Sequence, residues 1–220
     1  MDIKYLGHAS FRLRGKQAAL VTDPFDSSSV GLKYPLPTAD IITISHNHAD
    51  HNAIDNVKPK NEGETPIVLR GPGEYEIKGV KIYGFKTFHD REKGAQRGVN
   101  TIYLFDVDGV RILHCGDLGH TLSDELLEEL DEIDVLLIPV GGVFTIDAAD
   151  AAKVIRQIEP GMVVPMHYKV PGMHESLAAL SGVDVFLKEM DAETVVPLDK
   201  LTVTPASFTS EEIQVIVLKQ

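Results

Sequence analysis

Ser45-His46-Asn47-His48-Ala49-Asp50-His51 decides how this chain is read. It follows Ile41-Ile42-Thr43-Ile44, a short apolar run of the kind that forms a strand buried on both faces. Residues 46, 48 and 50 are spaced by two, so in a chain that stays extended their side chains share one face. His51 lies three residues beyond His48, and a turn there brings it to the same cavity. Four ligand-type side chains in so short a loop can hardly close around one tetrahedral ion, so the segment is read as part of a site for two divalent cations. Imidazole and carboxylate donors favour Zn2+, with Mn2+ or Fe2+ as alternatives.

Three further ligands are read at the ends of other expected strands. His89 follows the run Val80 to Phe88, Asp117 follows Arg111 to Cys115 on a glycine-containing turn, and His167 follows Met162 to Met166. Strand ends gathered along one sheet edge are where layered α/β folds build sites.

The rest of the pattern is consistent with layers of helix over sheet. Ile3–Leu6, Ser10–Arg14 and Ala18–Thr22 are separated by tight turns, which predicts hairpins. Strands are also expected at 66–69, 75–77, 80–85, 100–105, 110–114, 135–140, 162–166, 193–197 and 212–218. Leu126, Leu127, Leu130 and Ile133 share a face of a helix expected over 123–133. A second helix is expected over 147–158, stopped by Pro160-Gly161, and a short third over 175–180. With 220 residues, 43% of them hydrophobic, and no evident linker, the chain is read as one domain, 1–220.

Charge and composition weigh against several classes. The net charge is -12, no basic stripe is visible, and the densest charge run, Asp124 to Asp134, is acidic. A long nucleic-acid partner is not expected. A small anionic substrate is, because bound cations reverse the local field. No run approaches the roughly 20 apolar residues of a membrane span, and the N-terminus lacks a signal-peptide pattern. With a single cysteine, Cys115, the chain is expected to be cytoplasmic. Homo-oligomerisation is left open.

In this pattern the chain resembles the metallo-β-lactamase superfamily over nearly its whole length. The ligand series His-x-His-x-Asp-His, then His, Asp and His, is met in order by His46, His48, Asp50, His51, His89, Asp117 and His167. Within the superfamily it looks like the small Zn-dependent hydrolases related to L-ascorbate-6-phosphate lactonase. Leu6-Gly7-His8-Ala9-Ser10, Thr22-Asp23-Pro24, His114-Cys115-Gly116-Asp117, Gly141-Gly142-Val143-Phe144-Thr145 and Val164-Pro165-Met166-His167-Tyr168 carry that likeness. The resemblance implies an α/β fold (α+β in some schemes), a four-layer αββα sandwich with the site along one edge of two sheets. It assigns His46, His48 and His89 to one ion, Asp50, His51 and His167 to the other, and Asp117 to both. It also implies a hydroxide between the ions as nucleophile, with Asp50 placed to accept or deliver a proton.

Other candidates each have two readings. Asp23 either orients a ligating histidine or makes a turn before Pro24. His8 either reaches the cavity or hydrogen-bonds in a core turn. His120, close after Asp117, is read with Asp50 and Asp117 as catalytic, through a substrate contact; surface placement is the alternative. Cys115 is a buried small hydrophobe or a thiol near metal. His114 is read as structural and His174 as exposed. Phe144 and Thr145 are candidates for the entrance, and Arg97 and Lys169 for binding an anionic group. The leading function is hydrolysis of a small anionic ester, lactone or phosphoester. A phosphodiesterase or nuclease acting on nucleotides or short RNA, and a non-catalytic metal-binding module, stand as alternatives.

Overall fold

The computed structural model describes residues 1–208, 210 and 212–220. β1 (Asp2–Gly7), β2 (Ser10–Arg14) and β3 (Ala19–Thr22) form an antiparallel meander. The one-turn helix α1 (Ser27–Val30) is capped by Asp26 and ended by the left-handed Gly31. β4 (Thr38–Ala39) leads to β5 (Ile41–Ile44), which lies parallel to β3. β6 (Lys58–Pro59) pairs with β4, and β7 (Ile67–Arg70) lies parallel to β5.

The second sheet begins with β8 (Gly73–Ile77), β9 (Val80–Phe88), β10 (Val99–Val107) and β11 (Val110–His114), each antiparallel to the next of these four. Lys78-Gly79 and Asp108-Gly109 make two of the turns, and all four residues have positive φ, as two-residue hairpins require. After α2 (Asp124–Leu130) the sheet becomes parallel through β12 (Val135–Pro139), α3 (Ala148–Ile158) and β13 (Met162–Met166). α4 (Val183–Glu189) follows. β14 (Leu201–Thr202) then pairs with β1 and β15 (Gln214–Val215) with β13. The orders are β14-β1-β2-β3-β5-β7 and β15-β13-β12-β11-β10-β9-β8.

Alternation along the strands explains how the sheets stack. Ile3, Tyr5, Leu20 and Ile41 join a buried cluster with Ile82, Tyr103, Phe105 and Ile112 of the second sheet. Their neighbours Leu6, Val21 and Ile42 join a different cluster with Phe25, Tyr34, Val57 and Leu177 on the other face. Each fully buried large side chain contributes roughly 1.5–3 kcal/mol. α3 buries Ala148, Ala151, Ala152, Val154 and Ile155 and packs against α4. The layering is the expected αββα sandwich, with one qualification. Over the first sheet the outer layer is α1, short turns and the 170–180 loop, rather than long helices.

Several expectations change. The first predicted helix ends at Leu130 because Asp131 turns to positive φ. The helix expected over 175–180 is a 3-10 turn, Glu175–Leu177, capped by His174, and α4 was not foreseen. Residues 193–197 are not a strand. Glu193-Thr194 form a turn, Pro197 has no N–H to donate, and the edge beside β1 is taken by β14 instead. Among the described residues no helix is long and apolar enough to cross a membrane.

Phe105 is fully buried between the sheets, whereas Val196 is 77% exposed. Phe105→Ala is therefore expected to cost about 3–5 kcal/mol in denaturant unfolding and Val196→Ala less than about 0.5 kcal/mol. A comparable loss at Val196 would mean that 193–197 pairs after all.

Candidate metal centre

The parallel strands of both sheets point their carboxyl ends to one edge, and the ligand-type side chains leave from there. His46, His48, Asp50 and His51 follow β5, His89 follows β9, Asp117 follows β11 and His167 follows β13. The chain does not stay extended past β5. The His51 N–H donates to the His48 carbonyl at 3.0 Å, and this turn divides the motif. His46 and His48 gather with His89, whereas Asp50 and His51 gather with His167 and His8. The expectation that 46, 48 and 50 share a face is thus corrected by a single turn.

Asp117 stands between the groups. Its Oδ2 lies 3.2 Å from His89 Nε2, 3.3 Å from His51 Nε2, 3.3 Å from His167 Nε2 and 3.9 Å from His46 Nε2. Gly116 makes this possible. Its φ is +53, and a Cβ there would stand 2.5 Å from both Asn100 Oδ1 and Ser45 Cβ. Asn100 Oδ1 accepts the Asp117 N–H at 3.0 Å, and Asn100 Nδ2 donates to Thr87 Oγ1 and to the Cys115 carbonyl.

A second carboxylate orients the rings. Asp23 accepts from the Ser45 N–H at 2.7 Å, the Ser45 hydroxyl at 2.5 Å and His51 Nδ1 at 3.0 Å. With its hydroxyl proton committed to Asp23, Ser45 Oγ accepts from His46 Nδ1 at 2.9 Å. Both rings therefore carry their proton on Nδ1 and turn Nε2 toward the cavity. Of the two readings of Asp23, its hydrogen bonds match the orienting one. Ser45 and Asn100 were not singled out from sequence, because their partners are distant in the chain.

These residues fit metal ions. His46 Nε2, His51 Nε2 and Asp117 Oδ1 are buried with no hydrogen-bond partner, a costly state that a bound cation would relieve. Burial, with the neighbouring His51, pushes His46 down to about 3, so its ring presents a lone pair. Burial opposes ionisation of Asp117, but His167 and His51 hold its carboxyl well below the usual range.

His8 completes the second group. Its Nε2 is 3.2 Å from Asp50 Oδ2, and its carbonyl accepts the His167 N–H at 2.8 Å. Phe144 and Arg97 line the cavity; Thr145 and Lys169 are absent from its wall. The structure does not bring His120 to it. His120 Nε2 accepts the Phe88 N–H at 3.1 Å, Nδ1 donates to the Thr121 carbonyl at 2.7 Å, and the ring lines a separate cleft with Phe85 and Leu122. Both nitrogens are committed to backbone, which corrects its reading as a catalytic contact. Cys115 is fully buried, and burial pushes its thiol far up, as for a small core residue. His114 is buried on the Ala9 carbonyl, and His174 caps a 3-10 turn at the surface.

Comparison with known proteins points the same way. The β-lactamase superfamily domain matches residues 2–167. A UPF0173 metal-dependent hydrolase of Thermococcus onnurineus is 34% identical over 191 residues, 76% of this chain and 84% of that protein. One from Thermoplasma acidophilum is 28% identical over 218 residues, 87% and 96% of the two chains. A Thermotoga maritima structure, described as a candidate Zn-dependent hydrolase of the metallo-β-lactamase superfamily, superposes with a TM-score of 0.77 at 35% identity over 99% of both chains. A metallo hydrolase from Ignicoccus hospitalis shares the fold, with a TM-score of 0.65 at 21% identity over 98% of this chain and 94% of that one.

Asp23→Ala frees His51 and, through Ser45, His46. Metal affinity measured by chelator competition is expected to fall about 10–100-fold while circular dichroism stays native. Unchanged affinity would show that ring orientation does not depend on Asp23.

Proposed function

The chain belongs to the β-lactamase superfamily, and we propose that this metal-dependent hydrolase acts on a small anionic ester, lactone or phosphoester with two divalent ions, zinc foremost. His46, His48 and His89 would hold one ion. Asp50, His51 and His167, with His8 beside them, would hold the other, and Asp117 would serve both. When bound, such a pair supplies Lewis acidity toward a substrate oxygen and activates water.

The observation that carries this reading is one cavity of about 290 Å³ with His48, Asp50, His89, Asp117 and His167 in its wall. Its size falls at the lower end of small-molecule pockets, roughly 300–1,000 Å³. Phe144 and Leu177 line the same space and give part of its wall an apolar face. Asp50 is the carboxylate of the set that solvent reaches, its side chain 26% exposed against 3% for Asp117. Against burial, His8 and His51 hold its carboxyl well below the usual range, so it stands ionised as the group placed to orient water or accept a proton in passing, with His8 Nε2 behind it. The lactone option is supported by the likeness of the segments around His8 and His167 to the lactonase-related group, and those two segments meet here through the His167–His8 backbone bond. A net charge of -12 supports a small substrate over a long polymer.

Elemental analysis after reconstitution is expected to find about two ions per chain. Asp117→Ala should lose metal and more than the roughly 10–100-fold typical of an outer partner's removal, whereas His120→Ala should keep both ions. Equal losses would mean the central carboxylate is misassigned.

Turnover of a phosphorylated lactone, a small phosphodiester and a structured RNA, each at low and moderate salt, tests the substrate class. The small compounds should be favoured, with shallow salt dependence. RNA favoured by orders of magnitude with a steep salt slope would replace this reading with a nuclease. No turnover by fully metallated protein would favour a binding module.

A further inference from the structure

Among the described residues, one arginine and no lysine line the cavity: Arg97. Its guanidinium carbon sits 5.0 Å from the centre of the Phe144 ring, and Nη2 donates to the Val143 carbonyl at 3.2 Å. A guanidinium has five N–H donors, and this is the one bond to protein found for it among the described residues. Arg91 is paired with Asp150 and Arg111 with Asp131, but no carboxylate lies within ion-pair distance of Arg97 among the described residues.

Two loops are shaped to hold it there. Asp90, itself buried, accepts backbone N–H groups from Glu92 at 2.8 Å, Gly94 at 2.9 Å, Gln96 at 3.0 Å and Arg97 at 2.7 Å. These donors draw the 91–97 loop around one carboxylate and set the Arg97 backbone directly. On the facing loop Val143 is 53% exposed at φ +62, a conformation that a β-branched residue adopts only under strain. That turn presents the Val143 carbonyl to the guanidinium and lays Phe144 beneath it. Stacking on the ring leaves the remaining fork of donors free to meet a planar or tetrahedral oxyanion in two contacts.

We propose that Arg97 receives an oxyanion, carboxylate or phosphate, on the part of the substrate remote from the bond being broken, and that Asp90 is its positioning residue. The inference rests on the hydrolase reading for the word substrate. The anion-binding itself is measurable without turnover.

The metal-loaded protein is assayed on esters with one leaving group and three tails: a terminal carboxylate, a phosphate monoester, and an uncharged methyl ester. In Arg97→Gln the ratio of kcat/KM for charged over uncharged tail should fall roughly tenfold to hundredfold, mainly through KM. Arg97→Lys should recover only part, since an ammonium lacks the planar fork and the stacking. Asp90→Asn should lower the same ratio and add little on the Arg97→Gln background, which general damage would not do. A ratio unchanged within about twofold in Arg97→Gln overturns the proposal. Succinate and inorganic phosphate are also titrated calorimetrically into wild type and Arg97→Gln. Weaker binding in the variant supports the site, and the stronger of the two ligands names the oxyanion. Equal binding, or none by wild type, overturns it. Arg97-dependent binding without hydrolysis of any ester would instead sink the hydrolase reading and leave the anion site standing.

Discussion

Four imidazole nitrogens within 4 Å of one buried carboxylate oxygen need positive charge in their midst, and the centre is organised around that need. Protons meet it unevenly: burial pushes His46 down to about 3 and His8 to about 4, whereas Asp117 and Asp23, against burial, hold His51 well above the usual imidazole range. The unpartnered Nε2 atoms of His46 and His51 and the unpartnered Oδ1 of Asp117 are donors that bound metal would satisfy. Each is expensive to bury alone, so the arrangement makes sense as a receptor rather than as packing.

Holding such a receptor open requires backbone that the sheets must enforce. His8, Asp23 and His167 all sit at positive φ, at +56, +40 and +54. Such residues cost about 1–3 kcal/mol each and persist only where their surroundings over-determine them. Here the surroundings are explicit. The His167 N–H bonds to the His8 carbonyl, whose second lone pair takes the Tyr5 hydroxyl, and the Asp23 N–H bonds to the Thr43 carbonyl. The buried cluster between the sheets supplies the stability against which this strain is set.

The centre also separates two tasks. Strand ends carry the metal-type ligands, where ladders on both sides fix their positions. Loops carry Arg97 and Phe144, where side chains can vary without disturbing the ladders. The two are joined at Asp90: it follows His89 directly, and the His89 N–H bonds to the Gly98 carbonyl at the far end of the loop that Asp90 gathers.

Much of this was legible in the chain itself. The alternation in β1, β3 and β5 and the helical spacing in α3 follow from local chemistry, so the layers could be read from residue order. The motif at 46–51 and the strand-end positions of His89, Asp117 and His167 named the donor-type side chains that the fold gathers at one edge, because strands and their ends are short-range features. What short-range features cannot show is which strand ends meet. His8 lies 42 residues from Asp50, Asp23 lies 28 from His51, and Asn100 lies 17 from Asp117. Those pairings depend on sheet order and on the close approach at Gly116, and they turned two undecided residues, His8 and Asp23, into parts of the centre. The same reason removed His120. Three residues from Asp117 along the chain, its ring is held on the Phe88 N–H and lines a cleft separate from the cavity of the metal-type ligands. The amino-acid sequence determined the layers and the donor chemistry. The tertiary structure alone decided how the donors divide between two groups, because one turn at 48–51 and the register of distant strands set the distances that coordination depends on.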